Sequence, residues 1–289
     1  MIPASHNAPL RSAPDTQPDT KPDIQIVPFE ADHIAGALRL SQAANWPHRA
    51  EDWALMLSVS RGYVAMQGEQ VVGTALCSVM GDVAAISLII VDATCRGQGL
   101  GRVLMERVIA EGGARELRLT ATADGLPLYE KLGFVAQGQV VQYQGTARAM
   151  TPEQDVRTGT ATDLAAASDA DLDATGMSRA ELLEYIAQDG KILTTKGGFG
   201  FLRAFGRGYV VGPVVARTPE AARALIAAAA TSHAGQFLRV DFPQERELGP
   251  FAESLGLTHA GGGVKMTRNG QPHITTHYQT YALASQALG

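Results

Sequence analysis

Hydrophobic and polar positions alternate along the chain with two periods, and each change of period marks a new element. Residues 24–27, Ile-Gln-Ile-Val, alternate at period two and predict a short strand. Helical spacing follows, with Ile34, Leu38 and Ser41 on successive turns behind a candidate cap at Asp32. Trp46-Pro47 interrupts that pattern, and residues 51–59 predict a second helix with Trp53, Leu55, Met56 and Val59 as buried positions. Residues 62–66, 71–80 and 83–91 then read as three strands joined by tight turns at Gly68-Glu69 and Gly81-Asp82. Helical spacing returns over residues 101–111, with Val103, Leu104, Val108 and Ile109 facing inward. A strand over 117–121, a short helix over 126–132 closed by Gly133, and a strand over 134–142 complete the series. This order predicts an α/β (α+β) domain with a mixed, mostly antiparallel sheet flanked by helices.

Residues 151–268 repeat the order in weaker form. Helices are expected over 162–171 and 178–188, and strands over 191–195, 200–207 and 209–215. Thr218-Pro219-Glu220 is a good start for a helix over 221–231, with threonine at the cap and proline in the first turn. A strand over 237–242, a helix over 245–255 and a strand over 258–267 follow, and Leu-Gly-Phe134 is echoed by Leu-Gly-Leu257. The chain thus reads as an internal duplication, residues 23–148 and 149–268. A C-terminal tail over 269–289 is apolar enough at Tyr278, Tyr281 and Leu283 to dock on the body. Residues 1–22, with prolines at 3, 9, 14, 18 and 22 among Asp, Thr and Ser, have little to bury and are expected to be disordered.

Composition narrows the function classes. With 45% hydrophobic and 18% charged residues, the chain is that of an ordinary soluble protein, and a net charge of -5 argues against a nucleic-acid partner. Cys77 and Cys95 are too few for a disulfide framework or a cysteine-rich zinc site, so no metal is expected. No run approaches the roughly 18 apolar residues of a membrane span, and the first residues lack a secretory pattern. A cytoplasmic location without membrane attachment is the expectation.

The strongest chemical signal is Asp92-Ala93-Thr94-Cys95-Arg96-Gly97-Gln98-Gly99-Leu100-Gly101-Arg102, at a strand-to-helix junction. A pyrophosphate needs several backbone N–H donors converging on it without side chains in the way. Glycines at 97, 99 and 101 allow that approach, and the following helix offers its unpaired N–H groups and positive dipole end. Arg96 and Arg102 add charged donors. The dinucleotide fingerprint does not fit, because three antiparallel-type strands precede the loop, and a P-loop would need a lysine after the glycines.

Arg96-Gly97-Gln98-Gly99-Leu100-Gly101 matches the Gln/Arg-x-x-Gly-x-Gly/Ala loop of the GNAT acyltransferase superfamily. Tyr129-Glu130-Lys131-Leu132-Gly133-Phe134 resembles its Tyr-x-x-x-Gly-Phe signature, and the likeness covers residues 24–145. The resemblance implies two GNAT-like domains in tandem and acetyl-CoA as co-substrate. It implies pantetheine between the fourth and fifth strands, on the backbone of Ile89, Ile90 and Val91. It further implies pyrophosphate on the loop from Arg96 to Gly101, and Tyr129 as the acid that protonates the departing thiolate.

No general base stands out. The fourth strand holds no carboxylate, and Asp92 reads as a cap of the turn past its end. Ser87, Thr120 and Thr122 are candidate relays. Trp46 and His48 are the candidate acceptor-binding residues, whereas Trp53 reads as core and Cys95 as incidental. In the second half the corresponding turn, Val215-Ala216-Arg217-Thr218-Pro219-Glu220, has no glycine and would repel phosphate through Glu220. A tandem arrangement then implies a degenerate half that covers the acceptor cleft or forms a homodimer interface. Gly197 to Gly200 and Gly261 to Gly263 read as flexible turns, and Arg203, Arg239 and Asp241 as surface salt-bridge residues before shared-pocket ones. The function expected is acetyl transfer to a primary amine of a small molecule. A protein or peptide N-acetyltransferase, and a coenzyme A-binding regulatory module without turnover, are the alternatives. A closed acceptor cleft favours the first and an open groove the second.

Overall fold

Among the described residues a 13-stranded sheet runs through both halves of the chain. The computed structural model describes residues 23–289 apart from 272 and 274–276, so the tail expected over 1–22 lies outside the described residues. The first half contains β1 (Ile24–Pro28), α1 (Ile34–Ala43), α2 (Ala50–Ser58), β2 (Arg61–Gln67), β3 (Gln70–Met80) and β4 (Val83–Val91). It continues through α3 (Leu100–Gly112), β5 (Glu116–Ala121), α4 (Leu126–Lys131) and β6 (Val135–Thr146). The second half contains β7 (Arg157–Thr158), α5 (Ala161–Thr175), α6 (Ala180–Asp189), β8 (Lys191–Thr195), β9 (Gly198–Phe205) and β10 (Gly208–Ala216). α7 (Pro219–Ser232), β11 (Phe237–Pro243), α8 (Gly249–Ser254), β12 (Thr258–Arg268) and β13 (Gln279–Ala282) follow.

The sheet order is β1-β2-β3-β4-β5-β12-β6-β11-β10-β9-β8-β7, with β13 on β10. The last strands of the two halves therefore cross. β12 runs antiparallel to β5 from Val264↔Ala121 to Arg268↔Leu117, and β6 runs antiparallel to β11 from Phe237↔Thr146 to Pro243↔Val140. Neither half completes its sheet alone. Residues 261–263 are not turns but part of β12, where a register shift between His259 and Gly262 bends the strand. A Cβ at Gly262 would lie 2.0 Å from the Val140 carbonyl oxygen, so only glycine fits. Gly198 and Gly200 likewise belong to β9.

Each half has a pair of parallel strands that part company. β4 and β5 pair only through Val83↔Glu116, Ala84↔Leu117 and Ala85↔Arg118, and the rest of β4 leaves β5. In the second half β10 and β11 pair through Tyr209–Val211, and β13 enters beyond that point. β13 pairs with β10 at Val214↔Ala282, Val215↔Thr280 and Ala216↔Gln279, and the Leu283 N–H donates to the Asp241 carbonyl at 2.8 Å. Among the described residues no strand enters the opening in the first half; its counterpart is filled by the chain's own strand.

The segment after β13 is held by a buried ion pair. Arg179 donates to Asp171 at 2.6 and 2.8 Å, and its remaining nitrogen reaches the carbonyls of Leu288 and Gly289 at 2.9 and 2.6 Å. Two sequence expectations change on packing grounds. α3 buries Leu100, Leu104, Met105 and Val108, whereas Val103 is 42% exposed. The helix expected over 245–255 is broken at Glu247, whose φ of 51° is left-handed, and α8 begins anew around Pro250, which suits a first turn.

Candidate functional site

The free opening begins at a bulge in β4. Leu88 has a φ of 52°, a conformation L-residues seldom adopt, and its carbonyl accepts from the Thr74 hydroxyl at 2.6 Å. The β3–β4 register shifts at Thr74/Leu76, and Ile90 and Val91 resume pairing with Thr74 and Gly73. Ile89, Ile90 and Val91 thus lie where β4 pairs with no strand on its β5 side among the described residues.

Past β4, Asp92 accepts from the Thr94 N–H at 3.1 Å, the Thr94 hydroxyl at 2.8 Å and Arg39 at 3.1 Å. The Thr94 donors foremost, then Arg39, hold its carboxyl below the usual range, so Asp92 shapes the turn. Cys95 is buried in the first-half core. Gly97 and Gly99 have φ of 77° and 80°, and open space lies where their Cβ atoms would be. Gly99 caps the 13-residue α3 without a side chain. No acceptor among the described residues takes the N–H groups of residues 97–101. Unpaired backbone N–H groups at the positive end of a helix fit a pyrophosphate. Arg96 and Gln98 are exposed beside them, and Arg102 sits 3.6 Å from Glu106 on the first turns of α3. Leu100 turns its side chain into the core. The second half does not fit such a ligand: the Thr218 hydroxyl caps α7 by accepting from Ala221 N–H at 3.2 Å, and β13 fills the strand opening.

A cavity of about 430 Å³ extends from the opening to the second half. Ser87, Ile89, Thr120 and Thr122 line it from the β4–β5 side, Trp46 and His48 from the loop before α2, and Tyr129 from α4. The Tyr129 ring stands edge-on to Phe134 at 6.2 Å, and a Cβ at Gly125 would come within 3.0 Å of its hydroxyl. No partner among the described residues takes that hydroxyl, and burial pushes its pKa up to about 12. It stays neutral and protonated, as a proton donor must. Trp53 lies in the core, its indole N–H donating to Ser41 at 3.1 Å.

His48 packs edge-on against Trp46, Trp53 and Phe205 at 5.8, 6.0 and 5.7 Å. Burial above all, with Arg239 and Arg203 adding to it against the pull of Asp52, lowers its pKa to about 4. The ring is neutral at pH 7 and too weakly basic to serve as an efficient proton acceptor there.

The far wall carries Arg203 and Arg239, for which the shared pocket is the second reading of the alternating pattern. Arg203 and Arg239 are 6% and 8% exposed, and Asp241 is fully buried, so surface salt bridging is excluded for all three. The two guanidiniums lie 5.0 and 5.2 Å from the Phe205 ring centroid. Arg239 donates to Asp241 at 2.8 Å, and Asp241 also accepts from Gln286 at 2.9 Å. Asp52, from α2, accepts from Arg49 through the backbone N–H at 2.9 Å and the guanidinium at 2.9 and 3.2 Å, and from Gly206 N–H at 3.0 Å. Burial pushes the Asp52 carboxyl up, but these donors outweigh it and hold the pKa low. Among the described residues, the buried side-chain polar atoms without a partner are His48 Nδ1, Ser87 Oγ, Arg203 Nε and Ser285 Oγ, and all four residues line this cavity. Buried polar atoms are nearly always satisfied in folded proteins, so this clustering marks a place built for a ligand.

A bulged, splayed strand pair leading into a glycine-rich helix start agrees with the GNAT-like arrangement that the sequence resembles. Two family models, each described as "Acetyltransferase (GNAT) domain", match residues 34–149 and 168–282. The chain belongs to the GNAT acetyltransferase superfamily and carries two such domains in tandem. It is 28% identical to the uncharacterized N-acetyltransferase YitH of Bacillus subtilis, over 92% of this chain and 98% of that protein. A putative acetyltransferase from Pyrococcus horikoshii superposes with a TM-score of 0.79 at 21% identity, covering 96% of this chain and 99% of that one. A tandem GNAT protein from the clavulanic acid biosynthesis pathway gives a TM-score of 0.61 at 13% identity, over 86% and 100% of the respective chains. No helix among the described residues is long and apolar enough to cross a membrane.

Proposed function

We propose that the protein moves an acetyl group from acetyl-CoA to a primary amine of a small molecule. The observation that carries this reading is the cavity itself. It continues from the β4–β5 opening and is lined by both halves of the chain, which supports a small acceptor seated between them. Its volume of about 430 Å³ is in the range of small-ligand sites.

In this reading the coenzyme supplies the activated acyl group. The backbone of Ile89, Ile90 and Val91 holds the pantetheine arm, and the N–H groups of residues 97–101 hold the pyrophosphate, with Arg96 and Arg102 alongside. Tyr129 gives its proton to the sulfur as the thioester bond breaks. Asp52 is engaged by Arg49 and Gly206, and neutral His48 is a poor base at pH 7. The amine therefore enters as the free base or loses its proton through water on Ser87, Thr120 or Thr122, and the proton it sheds as the amide forms leaves by that water and restores Tyr129. The first half is the catalytic one, and the second half closes the acceptor site.

Thiol release from acetyl-CoA with parallel panels of small primary amines and of lysine-containing and N-terminal peptides tests the proposal. Turnover confined to small amines is expected. Turnover confined to peptides, or none with either panel, contradicts it.

A further inference from the structure

We propose that the acceptor amine also carries a carboxylate, and that Arg203 of the second half binds it. The inference rests on the acetyl-transfer reading above and names the substrate class of the same site.

The charges around the far wall do not balance internally. Three guanidiniums, those of Arg49, Arg203 and Arg239, face two carboxylates, Asp52 and Asp241. Arg49 takes Asp52 through two nitrogens, and Arg239 takes Asp241. Arg203 is the one left over. Its nearest carboxylate oxygen, on Asp52, is 3.8 Å away, a long ion pair without a hydrogen bond to a group that Arg49 already holds. Its contacts with the carbonyls of Ala204 and Ala284 are long, at 3.4 Å each, and its Nε has no partner. Arg207, exposed on the same lining, adds a further positive charge.

A guanidinium taken out of water without a paired anion is unfavourable, and folded proteins pair buried charges. Burial has already weakened Arg203's hold on its proton, with a pKa lowered to about 10. An anionic group arriving with the ligand supplies the missing partner. The planar fork of an arginine matches a carboxylate through two parallel hydrogen bonds. One surplus buried guanidinium matches the single negative charge of a carboxylate rather than the nearly double charge of a phosphate. Ser285, from the segment after β13, offers an unpartnered hydroxyl in the same cavity. Ser87 and Tyr129, on the side of the β4–β5 opening, are uncharged lining residues, which suits the end of an amino acid that bears a free amine. An anchor and a reacting end within one small cavity describe a small amino carboxylate.

Matched sets test this: the common L-amino acids, the amine left when each loses its carboxylate, and phosphoethanolamine. Binding is measured by calorimetry on the full-length protein loaded with coenzyme A, and turnover by thiol release from acetyl-CoA. At least one amino acid is expected to bind and react, with its decarboxylated partner weaker by about 100-fold in kcat/KM. Arg203→Gln is expected to erase that preference, and Arg203→Lys to retain part of it. Equal use of both members of every pair, preference for phosphoethanolamine, or no amino-acid binding by protein that binds coenzyme A overturns the carboxylate assignment and leaves the acetyltransferase reading standing. Failure to bind coenzyme A would overturn the acetyl-transfer reading first, and this inference with it. The wild-type comparison decides the matter even where an Arg203 variant does not fold.

Discussion

The Thr74 hydroxyl donates to the Leu88 carbonyl at 2.6 Å, and this bond holds the left-handed residue that turns β4 away from β5. Thr74 is fully buried, so the carbonyl would find no water if the hydroxyl were removed. Thr74→Val keeps the shape and removes the donor. The expected cost is about 1–3 kcal/mol of stability in urea denaturation, together with weaker acetyl-CoA binding. A variant as stable as wild type with unchanged affinity would show that the bulge stands without this bond.

Tyr129 should act on rate rather than affinity. With its pKa at about 12, the hydroxyl remains protonated across the working range, and activity should show no loss from its ionisation up to pH 10. Tyr129→Phe is expected to lower kcat by about 100-fold or more while the acetyl-CoA dissociation constant stays put. Steady-state kinetics beside calorimetry separate the two. Unchanged kcat would remove the tyrosine from the proton path.

His48 gives the fold a pH dependence with a defined sign. Its folded pKa of about 4 lies below the unfolded value of 6.5, so between them the unfolded chain binds a proton that the native ring refuses. Stability from this group is complete above pH 6.5 and is lost as pH falls through 4. His233, lowered mainly by burial, acts in the same direction. His48→Phe should flatten the stability profile between pH 6.5 and 4, as read by chemical denaturation at a series of pH values. A slope as steep as wild type would place the effect elsewhere.

What the sequence disclosed follows from the range of the interactions. Strands and helices over 24–145 reflect local periodicity, and the turn at 97–101 reflects backbone freedom, so both are legible residue by residue. The exchange of β6 and β12 is not, because alternation along a strand says which side faces the core and nothing about which strand lies beside it. β13 is only four residues long and owes its place to the gap between β10 and β11. Arg203 and Arg239 read as surface residues first and shared-pocket residues second for another reason, since an arginine in a strand suits an exposed face equally well. A signal was present in the near-continuous apolar runs Phe199-Gly-Phe-Leu-Arg203-Ala-Phe205 and Phe237-Leu-Arg239-Val-Asp-Phe242. Strands of that kind are covered on both faces, and charges within them are buried.

The central claim is that one half binds acetyl-CoA on the glycine loop while the other, plugged by β13 and capped by Thr218, does not. Isothermal titration of acetyl-CoA into wild type and Gly99→Glu tests it most directly. At φ 80° any side chain is strained, and a carboxylate there repels phosphate. The prediction is one site per wild-type chain and no measurable binding by the variant. Two sites per chain, or equal binding by both proteins, would contradict it.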